Sequence, residues 1–256
     1  MKSPCLLLFI CVTLAANNLF AGHRTIHVLV ALCDNDYQGI VPVPKKIGNG
    51  DDPVLNLYWG AGYGTKTFFR RSAEWKLLSA SRIDSTILER CVFQHVTTQT
   101  FLVADAYRGR EIRSTVEDFF FAAAGARVDT ARIPGASGIP ILGGADLIVY
   151  LGHDGLMDFT LDTPPSSHDD RSRDVAVLAC MSKQFFGPYL SLYSVNPVLL
   201  TSNLMAPEAY VLDALVTTWI AGKSKQQIRQ AAGAAYSKYQ KCSLKAGLGL
   251  FSTTLD

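Results

Sequence analysis

Two stretches of the chain decide the fold: LIVYLGHDG at residues 147–155 and VAVLAC at residues 175–180. Each begins with an apolar run of strand length and ends near a reactive side chain, His153 in the first stretch and Cys180 in the second. Runs in which every position is apolar are typical of parallel strands whose two faces are both covered by helices. The two stretches therefore predict strands of a parallel α/β sheet.

The rest of the chain repeats this alternation of strands and helices. Further strands are predicted at residues 25–33, 88–96, 100–104 and 197–201. Apolar residues recur at helical spacing over residues 110–124, 207–220 and 225–239, which predicts helices there. Together these elements predict a three-layer α/β sandwich with a mainly parallel central sheet. No linker or repeat divides the chain, so residues 22–256 are predicted to form a single domain.

The first 21 residues have the layout of a secretory signal peptide. Lys2 precedes an apolar run at residues 5–15, and a polar and small-residue segment then ends at Ala21. The run is shorter than the ~20 apolar residues that a membrane-spanning helix needs. We therefore expect export to a periplasmic or extracellular compartment without stable membrane insertion after cleavage. An uncleaved anchor is the alternative.

Composition narrows the function classes. Among 256 residues, 24 Lys and Arg balance 22 Asp and Glu for a net charge of +2, which gives no basis for nucleic-acid binding. Of six cysteines, Cys33, Cys91, Cys180 and Cys242 lie beyond the signal segment, and their spacing is not that of a zinc site. No metal and no cofactor are predicted. One or two disulfides are permitted after export, with the pairing left open.

His153 and Cys180 are the candidate reactive pair. Ligands of parallel α/β sheets bind at the carboxyl ends of the strands, and both side chains follow such ends. If the two strands are neighbours, the imidazole can accept or stabilise the thiol proton and so activate a sulfur nucleophile. The alternative for each residue alone is an inert buried thiol and an ordinary loop histidine.

The two stretches together resemble the caspase-like cysteine peptidases, the group that includes caspases, legumains, gingipains and clostripain. An apolar strand followed by His and Gly, and then an apolar strand ending in Ala-Cys, carry this resemblance. It implies that Cys180 is the nucleophile and His153 the general acid/base. It also implies an oxyanion site made by the main-chain N–H of Cys180 and one beside His153, at Asp154 or Gly155. The implied substrate is a peptide or protein, cleaved without metal or cofactor.

The chain departs from the family pattern in two places. Asp154 stands between His153 and Gly155, where the family usually has Gly directly after His. A side chain there is expected to shift the oxyanion donor or to modulate the imidazole. The gap between His153 and Cys180 is also short, which leaves little room for the helix that the family places between these strands.

Three residues are candidates for substrate binding. Asp34 and Asp36 follow the first predicted strand, and a carboxylate in a partly dry pocket would favour Arg or Lys in the substrate. The alternative is that both carboxylates cap the loop through main-chain hydrogen bonds. Ser182, close after Cys180, is expected either to line the cleft or to lie in a turn.

Two other functions stay open at this point. The first is a catalytically inactive binding or scaffolding module of the same fold, in which Asp154 occupies the oxyanion site. The second is a magnesium-dependent phosphohydrolase resembling the haloacid dehalogenases. Asp34 and Asp36 would form its D-x-D motif, and Asp154 and Asp158 its acidic pair.

Overall fold

The computed structural model describes residues 23–133 and 138–255, so the predicted signal peptide at residues 1–21 lies outside the described residues. The described part is a mixed α/β structure built on an eight-stranded sheet with the strand order β10-β9-β8-β7-β1-β4-β3-β2. The strands are β1 Arg24–Ala31, β2 Trp75–Ser81, β3 Ile87–His95, β4 Thr100–Tyr107, β7 Leu147–Leu151, β8 Arg173–Leu178, β9 Val195–Thr201 and β10 Phe251–Ser252. A separate hairpin pairs β5 Val128–Ala131 with β6 Ile139–Leu142.

The centre of the sheet is parallel, as the sequence predicts. Strands β9, β8, β7, β1 and β4 run in the same direction. The edges are antiparallel: β3 and β2 extend one side, and β10 pairs with β9 on the other. Sequence periodicity identifies the central strands. The strands β5, β6 and β10 give no such signal because they hold only four, four and two residues, and β2 gives none because most of its side chains are partly or fully exposed.

Helices cover both faces of the sheet. They are α1 Thr65–Arg71, α2 Ile112–Ala123, α3 Ser182–Phe185, α4 Gly187–Leu190, α5 Ala209–Ile220, α6 Lys225–Gln240 and α7 Leu244–Gly249. The predicted helix at residues 110–124 is thus a short 3₁₀ turn at Gly109–Glu111 followed by α2. The helix predicted to open at Pro207 begins at Ala209.

The alternation of side chains along β1 shows how the two faces are filled. Ile26, Val28 and Val30 belong to the apolar cluster that contains α1, α5 and α6 residues, whereas Leu29 and Ala31 belong to the cluster that contains α2 and α4 residues. Every residue of β1 from Thr25 onward is buried. Burial on both faces explains why the strand is apolar at every position after His27.

A buried polar triad also holds the centre of the sheet. The Asp105 carboxylate on β4 receives a bidentate pair of hydrogen bonds from Arg90 on β3, at 2.6 and 2.7 Å, and a bond of 3.0 Å from His27 Nε2 on β1. The main-chain N–H of Leu142 donates to His27 Nδ1, which fixes Nε2 as the donor toward the carboxylate. Burial opposes the charge on Asp105, but the bonds from Arg90 and His27 leave its pKa lowered.

Candidate active site

His153 is placed by a glycine turn at the end of β7. Gly152 has φ of +147°, and a Cβ there would lie 2.7 Å from the carbonyl oxygen of Ala31. Only glycine adopts this conformation readily at so close an approach to the first strand. The turn ends β7 and brings His153 to the carboxyl end of the sheet, where its main-chain oxygen accepts a hydrogen bond of 2.7 Å from the Tyr150 hydroxyl.

Cys180 occupies a similarly sharp bend after β8. The next residue, Met181, has φ of +49°, a left-handed conformation that is uncommon for a residue with a side chain. Its N–H donates to the carbonyl oxygen of Asn203 at 2.9 Å, which ties the bend to the segment after β9. Helix α3 then begins at Ser182. A residue in this position projects from the end of the sheet between strand and helix.

The register of the two strands brings His153 and Cys180 to the same level. β7 and β8 are neighbours and parallel, and Leu151 pairs with Leu178. His153 and Cys180 each stand two residues beyond that pair, and adjacent strands lie about 4.8 Å apart. Both side chains line one cleft of about 400 Å³. The structure thus places both residues of the predicted reactive pair in one cleft.

Asp158 holds the His153 imidazole. Its Oδ2 atom lies 2.8 Å from His153 Nε2 and accepts a second hydrogen bond of 3.0 Å from the N–H of Gly39, in the loop after β1. Because a carboxylate only accepts hydrogen bonds, Nε2 is the donor in this pair, and in the neutral imidazole Nδ1 is then the acceptor. Asp158 therefore acts as an orienting carboxylate. From the sequence, Asp158 is a candidate only as part of the acidic pair of the phosphohydrolase alternative.

Main-chain groups of Met205 hold the Cys180 thiol. The thiol donates to the Met205 carbonyl oxygen at 3.4 Å, and the Met205 N–H donates to the sulfur at 3.3 Å. Burial raises the pKa of Cys180, the Met205 N–H opposes that rise, and the negative charge of Asp154 adds to it. The net effect is a pKa above the usual range. In the free protein, Cys180 is thus a thiol at neutral pH.

Asp154 lies beneath the cleft rather than in it. The residue is fully buried, and its Oδ1 accepts a hydrogen bond of 3.0 Å from the N–H of Leu156, which caps the 3₁₀ turn Gly155–Met157. Its Oδ2 has no hydrogen-bond partner among the described residues. Burial raises the pKa of Asp154 to about 7. The extra residue between His and Gly is therefore a capping residue, and its side chain leaves the cleft open.

The predicted oxyanion donors differ in their position relative to the Cys180 sulfur. The main-chain N–H of Cys180 lies within hydrogen-bond range of its own sulfur, next to the point of attack. Asp154 and Gly155 are both buried, and a Cβ on Gly155 would meet the ring of Phe159 at 2.9 Å. The glycine beside His153 that lines the cleft is Gly152, whose own N–H donates to the Leu178 carbonyl at 3.2 Å.

Of the two carboxylates after β1, that of Asp34 bonds within its own loop. Asp34 is 4% exposed, and its Oδ1 accepts a hydrogen bond of 3.0 Å from the N–H of Asp36. Gly50 and Gly109 pack so closely on Asp34 that a Cβ on either would overlap its side chain. Asp36 itself is exposed, and neither carboxylate is among the described residues that line the cleft. This geometry matches the loop-capping alternative for Asp34.

Ser182 is also turned away from the cleft. It is fully buried, and its hydroxyl donates to the carbonyl oxygen of Val177 at 2.9 Å. The same hydroxyl accepts the N–H of Thr201 at 2.9 Å, so it joins α3 to the ends of β8 and β9. Ser182 thus supports the bend that carries Cys180.

The other cysteines lie in different surroundings. The thiols of Cys33, Cys91, Cys180 and Cys242 are all free. Cys33 and Cys91 are buried, and burial raises their pKa to about 11 and about 12. Cys180 and Cys242 are partly exposed, and of these two Cys180 is the one that shares its cleft with a histidine.

Comparison with known proteins adds no assignment: the chain matches no family model, and no curated protein or solved structure is significantly similar to it. Within residues 23–133 and 138–255, no three His, Cys, Asp or Glu side chains are grouped so that they could hold a metal ion. In the same residues, no helix is both long and apolar enough to cross a membrane.

Proposed function

We propose that this protein is a caspase-like cysteine peptidase that hydrolyses peptide bonds with Cys180 as nucleophile and His153 as general acid/base. The observation that carries the proposal is the register of β7 and β8, which places both side chains two residues beyond a paired position and in one cleft. The strand order β8-β7-β1-β4, with helices on both faces, is the setting in which such a pair is expected. The connection between β7 and β8 holds only a 3₁₀ turn, in keeping with the short gap in the sequence.

The proposed reaction proceeds through a thioester. His153 accepts the thiol proton as the Cys180 sulfur attacks the peptide carbonyl carbon, and the oxyanion that forms is stabilised by the main-chain N–H of Cys180. The C–N bond then breaks, and the proton passes from the imidazolium to the leaving amine. A water molecule attacks the thioester with His153 as base. The carboxylic acid product leaves, and the proton returns to the sulfur.

Asp158 has a positioning role in this proposal. Asp158 accepts the hydrogen bond from His153 Nε2–H and so keeps Nδ1 available as the base. Because Cys180 is a thiol in the free protein, proton transfer has to accompany substrate binding or attack. Substrate entry would exchange the bonds between the thiol and Met205 for contact with the carbonyl carbon.

The proposal is tested with a fluorogenic peptide library and three forms of the protein that begin at residue 22. The wild type is expected to cleave a subset of peptides. Cys180→Ala is expected to reduce the rate at least about 10³-fold, because the nucleophile is lost. Cys242→Ala, which removes the other partly exposed thiol, is expected to leave the rate unchanged. Full activity of Cys180→Ala would refute the proposal.

A binding module without catalysis is the second candidate, and one observation favours it. The raised pKa of Cys180 keeps the sulfur in its less nucleophilic form. A protein of this kind would bind peptides in the same cleft and cleave none of them, with or without Cys180. The phosphohydrolase alternative gains no support, because Asp34 and Asp158 are both committed to hydrogen bonds in their own surroundings.

A further inference from the structure

We infer that the cleft beside Cys180 recognises an uncharged apolar side chain of its substrate, rather than the Arg or Lys that Asp34 and Asp36 first suggested. The inference rests on the proposed function, because it names the substrate class of the same site. Its evidence is the chemistry of the cleft walls.

The cleft is built from four neighbouring strand ends and is apolar on most sides. The loop after β1 contributes Ile40 and Val41, the turn after β7 contributes Met157, and the loop after β9 contributes Leu204 and Met205. Its volume of about 400 Å³ lies within the range of about 300–1,000 Å³ that is usual for ligand pockets. Apolar walls of this kind stabilise a bound apolar side chain by removing both surfaces from water.

Three of these apolar side chains are exposed to solvent at the cleft. Val41 is 88% exposed, Leu204 62% and Met157 42%. Single exposed apolar residues are common on protein surfaces, but a group that converges on one concave site is typical of a binding surface. The three residues come from three separate loops, so their convergence is a property of the folded site and not of one apolar segment.

Two carboxylates beside the cleft, those of Asp158 and Glu208, already accept hydrogen bonds. Asp158 is bonded to His153 and to the N–H of Gly39. Glu208, directly after the cleft residue Pro207, accepts hydrogen bonds from Tyr210 and from Gln240 through its Oε2. Among the described residues that line the cleft, none is Asp or Glu, so a Lys or Arg side chain there would lose its hydration without gaining a carboxylate partner.

An acidic substrate side chain is disfavoured for the matching reason. Among the described residues that line the cleft, none is Lys or Arg, and His153 is the single group that can carry a positive charge. His153 is committed to Asp158. The cleft therefore discriminates by hydrophobicity, and an apolar side chain is expected to bind at least about tenfold more tightly than a charged one of similar size.

The test measures binding separately from cleavage, in the Cys180→Ala protein. The probes are fluorophore-labelled peptides Gly-Ala-X-Gly-Ala with X as Leu, Met or Phe in one set and Lys, Arg or Asp in the other. Fluorescence anisotropy is expected to give a Kd at least about tenfold lower for the apolar set. Equal Kd values, tighter binding of Lys or Arg, or no binding by either set would overturn the inference.

A matched pair of substitutions locates the effect. In the Cys180→Ala background, Leu204→Lys at the exposed rim is expected to weaken binding of the Leu peptide at least about fivefold and to strengthen that of the Asp peptide. Val96→Lys serves as the control, because Val96 is similarly exposed, at 57%, and lies between β3 and β4, away from the cleft. An unchanged Kd in Leu204→Lys, with its melting temperature also unchanged, would overturn the inference.

The two proposals fail in different ways. Apolar-selective binding by a wild type that cleaves no peptide would refute the peptidase and leave the recognition intact. Cys180-dependent cleavage after Arg or Lys would keep the peptidase and overturn the apolar preference.

Discussion

Asp154 offers the sharpest prediction, because one buried carboxyl links stability to the reactivity of the site. The proposed change is Asp154→Asn, which keeps an oxygen that can accept the N–H of Leu156 and removes the negative charge. An unfolded Asp has a pKa of about 3.9, so a folded-state pKa of about 7 corresponds to roughly 4 kcal/mol in favour of the neutral form. The charged form is thus strained in the folded protein.

The sign of the pH dependence follows from this difference. Below about pH 4 the carboxyl is protonated in both states and the strain is absent. As the pH rises towards 7, the unfolded chain loses this proton while the folded chain keeps it, so folding becomes less favourable; above about pH 7 the full penalty remains. From pH 5 to pH 9, the wild type is expected to lose about 2–3 kcal/mol of stability relative to Asp154→Asn.

Urea unfolding at the two pH values measures this loss. The difference in free energy of unfolding between Asp154→Asn and the wild type should increase by that amount, and Asp170→Asn, at an exposed site, should show no such trend. A difference that stays constant within about 0.5 kcal/mol, close to the error of extrapolation, would refute the reasoning.

The same substitution is expected to change the reactivity of Cys180. The Asp154 charge contributes to the raised pKa of Cys180, so its removal should lower that pKa and increase the thiolate fraction. At pH 8, alkylation of Cys180 by iodoacetamide should be several times faster in Asp154→Asn than in the wild type. Slower or equal alkylation would show that the two groups are not electrostatically coupled.

Three further substitutions test other parts of the structure. Asp158→Asn should lower kcat by about 10²-fold or more with little change in KM, because it removes the charge that orients His153. An unchanged kcat would show that Asp158 does not position His153. Asp105→Asn should lower the free energy of unfolding by about 3–5 kcal/mol at pH 7, measured by urea unfolding, because the Arg90 guanidinium is left unpaired. Since the pKa of Asp105 is lowered in the folded protein, this difference should fade as the pH falls below about 4. A loss that is independent of pH would contradict this role of Asp105. Gly152→Ala should lower the free energy of unfolding by about 1–3 kcal/mol or more, because alanine is strained at the positive φ of this position. Gly62→Ala, whose added Cβ would meet no neighbouring atom, should have little effect on stability. Equal losses of stability would contradict the role of Gly152 in the turn.

The sequence predicts the central strands and the reactive pair for a clear physical reason. Parallel strands buried on both faces are mostly apolar, so β7 and the last four residues of β8, at 175–178, are visible as apolar runs. β7 coincides with the apolar run that begins the stretch at residues 147–155. His153 and Cys180 can be recognised as candidates because each stands just beyond the end of its strand. The edge strand β2 leaves no such pattern, because most of its side chains are partly or fully exposed.

The rest of the site depends on contacts between segments that are distant in the chain. Met205, which holds the Cys180 thiol, lies 25 residues beyond it and reaches it through the loop after β9. Asp158 lies only five residues beyond His153, but the N–H of Gly39 that also bonds its carboxylate comes from a loop 119 residues away in the chain. Asp34 and Ser182 have the residue types expected in a binding site, but their polar atoms bond to the local backbone. Residue type and order predict the candidate nucleophile and base, whereas the cleft walls require the tertiary structure.

The central claim is that Cys180 is a nucleophile activated by His153, and covalent capture tests it most directly. Protein beginning at residue 22 is incubated at pH 7.5 with a mixed set of peptidyl acyloxymethyl ketones, and adducts are located by mass spectrometry. If His153 activates Cys180, one adduct is expected, on Cys180, and it forms at least about tenfold more slowly in His153→Ala. No adduct on Cys180, equal labelling of Cys242, or an unchanged rate in His153→Ala would contradict this activation.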